Sequence, residues 1–375
     1  MEPEFTTAKV MTSIPSDVVA LSDYARLAKQ MIPHSTYEYI AGGSASEVTL
    51  DHNRTAFDSI KLYNRVLKKL GHGSTRLRLL GENFRHPILL APVAHQQLVH
   101  PLAELASVEA AEAMETGFIA STLSSVTMEA IAAKTASNKW FQLYFQESRE
   151  WTLSLVRRAE NAGYTALVVT VDTPINGIRN RTQRIGFKLP SGIQAMNLIN
   201  QPAVSPRVLT PNQSVVFQGI MADAVSWDDL AWLKKQTQLP LIIKGITHPD
   251  DALKAQDMGL AGIVISNHGG RALDGAPATI DVLPAIRNAV GDDFLILLDS
   301  GIRRGSDIFK AIALGANAVL IGRPQMYALA VAGALGVAHM LRLLREEFEV
   351  TMALAGCATL SDINLDCLQG DIPTH

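Results

Sequence analysis

Eight short apolar runs recur along the chain, and each ends in a small or polar residue. Amphipathic segments with helical spacing separate them, and several of these end in glycine, a helix stop signal. Because the runs do not alternate with polar residues, we expect strands that are buried on both faces, as in a parallel sheet. Eight such strands alternating with helices predict an α/β fold, a (β/α)8 TIM barrel. The runs begin at Pro87, Gly117, Trp140, Ala166, Leu239, Gly262, Phe294 and Ala318.

Two parts of the chain lie outside this repeat, which otherwise predicts one barrel domain over residues 1–375. Residues 1–80 form an N-terminal helical section that we expect to plug or flank the barrel. Residues 185–235 form a long loop after strand 4, rich in Pro, Asn, Gln and Ser and without a clear period. Long insertions in compact domains are usually functional or mobile, so we interpret this one as a lid over the strand ends. The alternative is a surface loop without a role.

The composition limits the kinds of partner. Apolar residues make up 47% of the chain and the net charge is −3 without a basic block, so neither nucleic acid nor a membrane is expected as a partner. The N-terminus lacks the apolar core of a signal peptide, and the apolar run 326–338 is too short to span a bilayer. Cys357 and Cys367 are interpreted as reduced structural thiols of a cytoplasmic protein. Neither GxGxxG nor GxxxxGK(S/T) follows a strand.

Polar and charged residues gather at the ends of the predicted strands, where this fold carries its chemistry. A barrel held together by packing alone would not need a lysine, a histidine, three arginines and two aspartates around one mouth. We therefore expect an active site there. Its candidate residues are Ala94, Ser124, Gln142, Tyr144, Thr170, Asp172, Lys244, Ser266, His268, Arg271, Asp299, Arg303 and Arg323.

Glycine-rich turns follow the last two strands, in the stretches LDSGIRRGSD and LIGRPQ. TIM barrels commonly hold phosphate groups in these two turns, using backbone N–H groups and a helix N-terminus. Arg303 and Arg323 add forked donors that match phosphate oxygens. The pattern predicts a phosphate site; the alternative is that both arginines pair with carboxylates at the barrel mouth.

Lys244, at the end of the fifth strand, leaves two functional interpretations open. It could form a Schiff base, as in aldolase chemistry, or it could hold positive charge against a cofactor that becomes anionic. The structural alternative is a lysine that extends from the rim into solvent.

His268 and Arg271 follow the sixth strand in the stretch SNHGGR. The glycine pair allows a sharp turn, a histidine takes up a proton near neutral pH, and an arginine can grip a carboxylate with two hydrogen bonds. Arg179 could supply a second grip, and Asp172 could fix the tautomer of His268 and stabilise its imidazolium form. This set suits proton abstraction from a small 2-substituted acid.

Six motifs occur in the order FQLY, TVDTP, IIKGI, SNHGGRALDGAPATIDVLPAI, LDSGIRRGSDIFKA and IGRP. Together they resemble the FMN-dependent 2-hydroxy acid oxidase/dehydrogenase family over roughly residues 20–365. The resemblance implies an enzyme that binds FMN and oxidises an (S)-2-hydroxy acid to the 2-oxo acid. O2 would reoxidise the flavin and give H2O2. No metal is expected.

The resemblance also implies a role for each candidate. His268 would take the substrate proton with support from Asp172. Lys244 would face the flavin where reduction places negative charge, a role we prefer to a Schiff base. The substrate would contact Tyr39, Tyr144, Arg179 and Arg271. The FMN ring would contact Pro92, Val93, Ala94, Ser124, Gln142 and Thr170. The ribityl chain would lie near Ser266 and Asp299. The phosphate would lie near Ser300, Gly301, Arg303, Gly322 and Arg323.

Four positions depart from the family's pattern. Ser300 stands where a second glycine is common, and Ile40 follows Tyr39 where glycolate oxidases tend to have tyrosine. Val126 replaces a bulky tryptophan in a shortened segment near the substrate, and His95 is unusual beside the flavin. The loss of the tryptophan should enlarge the pocket unless the lid or His95 refills it. We therefore expect a substrate larger than glycolate, either lactate or a mandelate-like acid.

Alternatives to an oxidase stay open at this point. The electron acceptor could be a quinone or another molecule, although no apolar membrane-binding insertion or haem domain is evident, so O2 is the default. A lactate 2-monooxygenase-like outcome is a further alternative, and a Schiff-base aldolase on Lys244 is the alternative from another enzyme class. Members of the family are often tetramers, so a homo-oligomer is expected.

Overall fold

Three helices open the part of the chain that the computed structural model describes, residues 10–136, 138–201 and 207–370. Pro33 separates the first two, because proline disfavours helical backbone in the residue before it. Ile32 is accordingly extended, with φ −83° and ψ 137°. The helices are α1 (Leu21–Met31), α2 (His34–Ala41) and α3 (Val48–Ser59), and they are followed by the short strands β1 (Lys61–Leu62), β2 (Leu77–Leu79) and β3 (Glu82–Phe84).

Eight parallel strands then close into a barrel, and the predicted TIM-barrel fold is confirmed. Each strand pairs with the next, and the last pairs with the first through Val319 and Ile88. The strands are β4 (Ile88–Leu90), β5 (Gly117–Ser121), β6 (Lys139–Leu143), β7 (Leu167–Thr170), β8 (Leu241–Ile246), β9 (Gly262–Ile265), β10 (Leu295–Leu298) and β11 (Ala318–Ile321).

Further helices connect the strands and cover the barrel. After the last of them the chain returns as a short strand that pairs antiparallel with β1. These elements are α4 (Ala103–Ala113), α5 (Met128–Ala133), α6 (Arg149–Asn161), α7 (Asn180–Arg184), α8 (Trp227–Lys234), α9 (Pro249–Asp257), α10 (Thr279–Val290), α11 (Gly305–Ala313), α12 (Arg323–Ala355) and β12 (Leu368–Gln369).

Side chains alternate between the inside and the outside of the barrel along each strand, and the inward ones form layers. The β2–β3 hairpin is the plug at one end of the barrel, because Leu79 and Phe84 are buried against an apolar inner layer. The N-terminal helices do not form this plug. The apolar layer consists of Leu89, Ile119, Trp140, Val168, Ile242, Val264, Leu297 and Leu320.

The insertion after β7 ends earlier than the sequence predicts. Ser226 caps α8, and its hydroxyl accepts a hydrogen bond from the backbone N–H of Asp229. Since α8 leads into β8, it is an ordinary connecting helix of the barrel. The predicted range 185–235 therefore includes this helix at its end.

The remaining insertion carries little regular structure. It contains a π-helical turn (Val215–Gly219) and a 3₁₀ turn (Ile220–Asp223). Val208 and Phe217 are 95% and 71% exposed. Residues 202–206, which the lid prediction includes, lie outside the described residues.

Helix α12 breaks once, at Ala332 and Gly333, where the backbone leaves the helical region. Gly333 has φ +57°, and a Cβ built there would lie 2.8 Å from Nε2 of His100, so this position favours glycine. Within the described residues α12 is the one helix long and apolar enough to cross a membrane, but 67% of its most apolar window is buried. The helix packs against α1, α4 and α11, which accounts for its apolar surface.

Candidate active site

Polar side chains occupy the next inward positions, two residues beyond the apolar layer. All of them are buried. Strand alternation brings them into the barrel interior at its carboxyl end, the end where TIM barrels carry chemistry. They are Ser121, Gln142, Thr170, Lys244, Ser266 and Asp299.

Lys244 is the centre of this polar layer. Its Nζ donates to Ser266 Oγ at 2.8 Å and pairs with Asp299 Oδ2 at 3.1 Å. Burial lowers the pKa of Lys244, but Asp299 and Asp172 outweigh it and hold the pKa above its usual value. The side chain is therefore an ammonium ion at neutral pH. A protonated amine cannot attack a carbonyl, so the Schiff-base alternative lacks a nucleophile.

A cavity opens above the polar layer, with about 1150 Å³ of empty space when its solvent-open mouth is included. It brings most of the candidate residues together around one space. Of the candidates, Tyr39, Pro92, Val93, Ala94, Tyr144, Arg179, Lys244, His268, Arg271, Asp299, Ser300, Gly301, Arg303, Gly322 and Arg323 line it. The candidates Ser124, Gln142, Thr170, Asp172 and Ser266 are absent from the lining.

His268 lies on a turn of three consecutive left-handed residues, with φ of +58°, +66° and +72° at His268, Gly269 and Gly270. Two hydroxyls hold this turn. Ser266 Oγ accepts from the N–H of His268 at 3.1 Å, and Ser300 Oγ accepts from the N–H of Gly269 at 2.9 Å. The glycine pair predicted to allow a sharp turn thus continues a left-handed conformation that His268 itself adopts.

Ser300 links this turn to the ion pair between Lys244 and Asp299. Its hydroxyl donates to Asp299 Oδ1 at 2.7 Å while Asp299 Oδ2 contacts Lys244. Ser300 itself has φ +73°. This left-handed conformation is less favourable for a residue with a side chain than for glycine. The departure from glycine at this position therefore adds a hydrogen-bond bridge at the cost of backbone strain.

Asp172 orients the imidazole of His268, with Oδ1 2.9 Å from Nδ1. Burial lowers the pKa of His268 and outweighs the opposing effect of Asp172, so the ring is neutral at pH 7. Burial also acts to raise the pKa of Asp172, but His268 and Lys244 hold it below the usual range. An ionised carboxylate at Nδ1 places the ring proton there. Nε2 is then free to accept a proton.

Arg271 and Arg323 contact the carboxyl end of α2. Arg271 donates to three carbonyl oxygens there, the closest at 2.9 Å. Arg323 donates to Ile40 O and Gly42 O, each at 3.0 Å, and to Gly269 O at 2.8 Å. Cations at a helix C-terminus satisfy its free carbonyl groups. Both arginines thus join the N-terminal section to the strand ends, besides any role towards a ligand.

Positive charge is in excess around the cavity. Burial and the charge of Arg271 lower the pKa of Arg179 to about 10, and burial and neighbouring arginines lower that of Arg323 to about 9. Among the described residues of the lining, Asp299 is the acidic one. The excess fits anionic ligands. The cationic residues are Arg179, Lys244, Arg271, Arg303 and Arg323.

Comparisons with known proteins decide what this site belongs to. Residues 28–370 match the model of the FMN-dependent dehydrogenase family. The chain belongs to that family. The L-lactate oxidase of Alicycliphilus denitrificans is 51% identical over 355 residues, 95% of this chain and 97% of that protein. The L-lactate oxidase of a Roseobacter species is 45% identical over 352 residues, 94% of this chain and 95% of that protein.

A crystal structure of mandelate oxidase with 3,3-difluoro-2-hydroxy-3-phenylpropionic acid is similar to this chain throughout. Its TM-score is 0.85 at 40% identity, covering 94% of this chain and 99% of that chain. The protein is an FMN-dependent 2-hydroxy acid oxidase, as the resemblance implies. Its substrate is therefore a 2-hydroxy acid, and its cofactor is FMN.

The site of this family member fits FMN. Ser124 Oγ and Gln142 Nε2 do not line the cavity, but both are buried without a hydrogen-bond partner in the described residues, and buried polar groups normally have one. At Gly322 the nearest atom to a built Cβ is 4.0 Å away, which leaves the backbone of this turn open to the cavity. An isoalloxazine ring offers hydrogen-bond acceptors, and a phosphate matches the open turn and its arginines.

Sequence reasoning missed several residues of the family member's cavity. Asn176 lies three residues before Arg179, in a loop that was already a candidate, so its position was the available signal. The others are apolar and carry no chemical signal in sequence. The missed residues are Ala91, Leu123, Asn176, Ile302, Leu320 and Met326.

The four positions that depart from the family's pattern differ in whether they line the cavity. Ile40 and Ser300 line the cavity, whereas Val126 and His95 do not. Leu123 is the residue of the loop after β5 that faces it. Enlargement of the pocket through Val126 is therefore not supported by the lining.

The N-terminal section also supports the turn formed by His268, Gly269 and Gly270. Asn53 of α3 and Asn267 exchange two amide hydrogen bonds, at 2.9 and 2.8 Å, and both residues are buried. Asn267 Oδ1 also accepts from the N–H of Gly270 at 3.0 Å. This support was not predicted, because asparagines in a helix interior carry no signal of a distant partner.

Proposed function

We propose that the protein oxidises (S)-2-hydroxy acids, with L-lactate as the preferred substrate, to 2-oxo acids, and that O2 is the acceptor and H2O2 the second product. The observation that carries this proposal is His268, hydrogen-bonded to Asp172, in a cavity that Arg179 and Arg271 also line. A base and two guanidinium groups around one space suit an acid that loses a proton next to its carboxylate.

The substrate contacts follow from the side chains of the cavity. Arg179 and Arg271 bind the carboxylate. Arg179 has more hydrogen-bonding capacity to offer the substrate, since its Nε is buried without a partner in the described residues. Tyr144 and Tyr39 supply hydroxyls for the substrate oxygens. His268 Nε2 takes the substrate proton, and Asp172 stabilises the imidazolium that results.

The cofactor contacts follow the three parts of FMN. When bound, FMN accepts two electrons from the substrate and passes them to O2. Lys244, held as an ammonium by Asp299, supplies the positive charge that favours an electron-rich ring. The ring contacts would be Pro92, Val93, Ala94, Ser124, Gln142 and Thr170, the ribityl contacts Ser266 and Asp299, and the phosphate contacts Ser300, Gly301, Arg303, Gly322 and Arg323.

The preference for L-lactate rests on the relatives. Three L-lactate oxidases are 51%, 45% and 43% identical to this chain, whereas the mandelate oxidase structure is 40% identical. An aromatic, mandelate-like acid is the second candidate, supported by the likeness to mandelate oxidase over 94% of this chain.

Anaerobic mixing tests the substrate directly. The purified holoenzyme is mixed with glycolate, L-lactate, D-lactate and (S)-mandelate in turn, and bleaching of the oxidised flavin is followed by stopped flow. L-Lactate should bleach the flavin fastest and D-lactate should not bleach it. A faster reaction with (S)-mandelate would make the second candidate the substrate class.

Admission of air to the bleached enzyme tests the acceptor. Return of the yellow colour with one H2O2 and one pyruvate per lactate supports the oxidase. Acetate and CO2 in place of pyruvate and H2O2 would indicate a lactate 2-monooxygenase-like outcome. A flavin that stays bleached in air but reoxidises with a quinone would indicate a dehydrogenase.

Three further features belong to this proposal. The insertion after β7 acts as a lid over the cavity, the protein is a homo-oligomer, by family resemblance a tetramer, and it works in the cytoplasm. The exposed apolar side chains of the insertion, including Val208 and Phe217, support a segment that meets another surface during function. Light scattering after size-exclusion chromatography tests the assembly; a monomer at micromolar concentration would contradict it.

A further inference from the structure

Two thiols lie side by side near the C-terminus, outside the active-site cavity. The Sγ atoms of Cys357 and Cys367 are 3.7 Å apart. Both sulfurs also lie near one backbone oxygen, Asp362 O, at 3.4 and 3.7 Å. The two side chains therefore converge on a common point and do not merely pass each other.

The fold holds both cysteines in place through their backbones. Cys357 follows the glycine that ends α12, and its N–H donates to Met352 O at 2.9 Å. Cys367 directly precedes β12, and its carbonyl accepts from the N–H of Tyr63 at 2.9 Å. To form a disulfide, the two sulfurs would have to close from 3.7 Å to about 2.04 Å.

We propose that Cys357 and Cys367 are a modification site, a dithiol that H2O2 converts to an intramolecular disulfide. The source of the peroxide rests on the proposed function, since an oxidase that reduces O2 releases H2O2 at each turnover. The fraction of enzyme that carries the disulfide would thus increase with the amount of peroxide that the enzyme has produced.

The two thiols differ in solvent exposure, and this difference sets the order in which they react. Cys367 is partly exposed, whereas Cys357 is buried. Peroxide therefore meets Cys367 first. Its thiolate attacks one oxygen of H2O2, an S–O bond forms, the O–O bond breaks, and the second oxygen leaves as water after taking up a proton. The product is a sulfenic acid on Cys367.

Cys357 completes the reaction. Its sulfur attacks the sulfur of the sulfenic acid, an S–S bond forms, the S–O bond breaks, and a second water leaves with the thiol proton. In sum, two thiols lose two electrons and two protons, and one H2O2 is reduced to two waters. Burial and the neighbouring Cys367 raise the pKa of Cys357 to about 12, so this thiol is a slow nucleophile and the second step should limit the rate.

The disulfide would close a covalent link between the end of α12 and the segment that enters β12. Because β12 pairs with β1, the link fastens the C-terminal segment that lies against residues 61–62. A cross-link restricts the unfolded chain, so the oxidised protein should melt at a higher temperature than the reduced one. A dithiol reductant should reverse the change.

The test uses the holoenzyme, reduced and then freed of reductant. One sample receives H2O2 directly, and another receives L-lactate in air, with and without catalase. Free thiols are titrated after denaturation, and unreduced peptides are mapped by mass spectrometry. We expect direct H2O2 to remove both thiols, to lower the mass of the chain by two hydrogens and to give one Cys357–Cys367 peptide pair.

Two matched variants report on the order of events. C357S should stop at a sulfenic acid on Cys367, which dimedone traps. C367S should keep a free Cys357 at the same H2O2 concentration. Neither variant should show the rise in melting temperature, and both should keep the kcat/KM of the native enzyme because neither residue lines the cavity.

The two arms separate this proposal from the proposed function. Thiols that persist in excess H2O2, or that end as sulfinic acid or as a link between chains, overturn the proposed site. A disulfide that forms with added H2O2 but not during turnover leaves the dithiol site intact and contradicts the proposed production of H2O2. Formation during turnover that catalase suppresses supports both.

Discussion

At the scale of single residues, the base depends on one carboxylate. In the proposed mechanism, Asp172 fixes the proton on Nδ1 of His268 and stabilises the charge that the ring gains during reaction. We expect Asp172→Asn to lower kcat/KM for L-lactate by on the order of 10²–10⁴-fold, the range of a lost acid–base contribution. Steady-state kinetics of the flavin-loaded variant measures this loss. Asp250→Asn, at a side chain that is 85% exposed, is the matched control and should change nothing.

The pH profile of the same variant checks the assignment. A protonated imidazole cannot accept the substrate proton, so kcat/KM of the native enzyme should fall as the pH drops through the pKa of His268. That pKa lies below its usual value, so activity should persist in mild acid. Loss of the Asp172 charge should move the acidic limb to still lower pH. A limb that stays in place in Asp172→Asn would show that another group titrates.

Ser300 offers a second residue-scale prediction, because its strain and its hydrogen bonds can be separated. Ser300→Ala removes the hydroxyl but keeps a side chain at φ +73°, while Ser300→Gly removes both. Since both variants lose the bridge between Asp299 and the N–H of Gly269, both should lower kcat/KM by about tenfold, equivalent to ~1.4 kcal/mol.

The stability of the two Ser300 variants should differ. A left-handed conformation costs a side chain about 1–2 kcal/mol relative to glycine. Ser300→Gly should therefore unfold at a higher urea concentration than Ser300→Ala. Equal activity of Ser300→Gly and the native enzyme would mean that the hydroxyl bridge does not position the turn that carries His268.

At the scale of elements, the barrel strands were predictable because each is buried on both faces and reads as a continuous apolar run. Most of the polar layer was predictable for the related reason that the runs of β6 to β10 reach an inward position with a polar group, such as Lys244 or Asp299. Ser121 of β5 was not among the candidates. The β2–β3 hairpin was missed, since three-residue strands give no periodic signal. The boundary of α8 was missed because its helical pattern was merged with an irregular insertion.

Contacts between distant elements were not predictable. The pairing of Asn53 with Asn267 joins α3 to the His268–Gly270 turn across more than 200 residues of sequence. Asn267 belongs to the SNHGGR motif, but Asn53 belongs to no local pattern, and the motif does not show which distant residue it pairs with. The lining by Leu123 in place of Val126 likewise depends on how a loop folds back, which the hydrophobicity of the loop does not specify.

The asparagine pair gives an element-scale prediction. Asn53→Ala leaves the amide of Asn267 without one buried partner, which should cost about 1–3 kcal/mol of unfolding free energy. It should also lower kcat/KM, because Asn267 Oδ1 holds the N–H of Gly270. Urea unfolding and L-lactate kinetics measure the two effects. Thr55→Ala, on the exposed face of the same helix, is the control and should leave both nearly unchanged; a matching loss there would assign the effect to helix α3 as a whole.

At the scale of the whole molecule, the cavity lies where the N-terminal section meets the barrel. Arg271 and Arg323 reach from the barrel end to the carbonyl groups of α2, so the N-terminal section and the barrel share the same charged groups. Burial is the main cause that lowers the pKa of Arg323 to about 9, and repulsion by the neighbouring arginines adds to it. A bound anion would relieve the repulsion and stabilise both parts at once.

Removal of FMN should therefore destabilise the protein as a whole. A ligand that binds only the folded state raises its stability by mass action, and here relief of charge repulsion adds to that effect. We expect the apoprotein to melt at a lower temperature than the holoenzyme in one cooperative transition. Inorganic phosphate should raise the melting temperature of the apoprotein and leave that of the holoenzyme nearly unchanged, because FMN already fills the phosphate site.

Salt and substitution separate a specific phosphate site from general screening. Chloride at matched ionic strength screens the arginines without forming their paired hydrogen bonds, so it should stabilise the apoprotein less than phosphate does. Arg303→Gln should reduce the phosphate effect, since Arg303 lines the cavity in the turn after β10. Equal stabilisation by chloride and phosphate would mean that the arginine cluster responds to ionic strength alone and would remove this turn from the proposed FMN contacts.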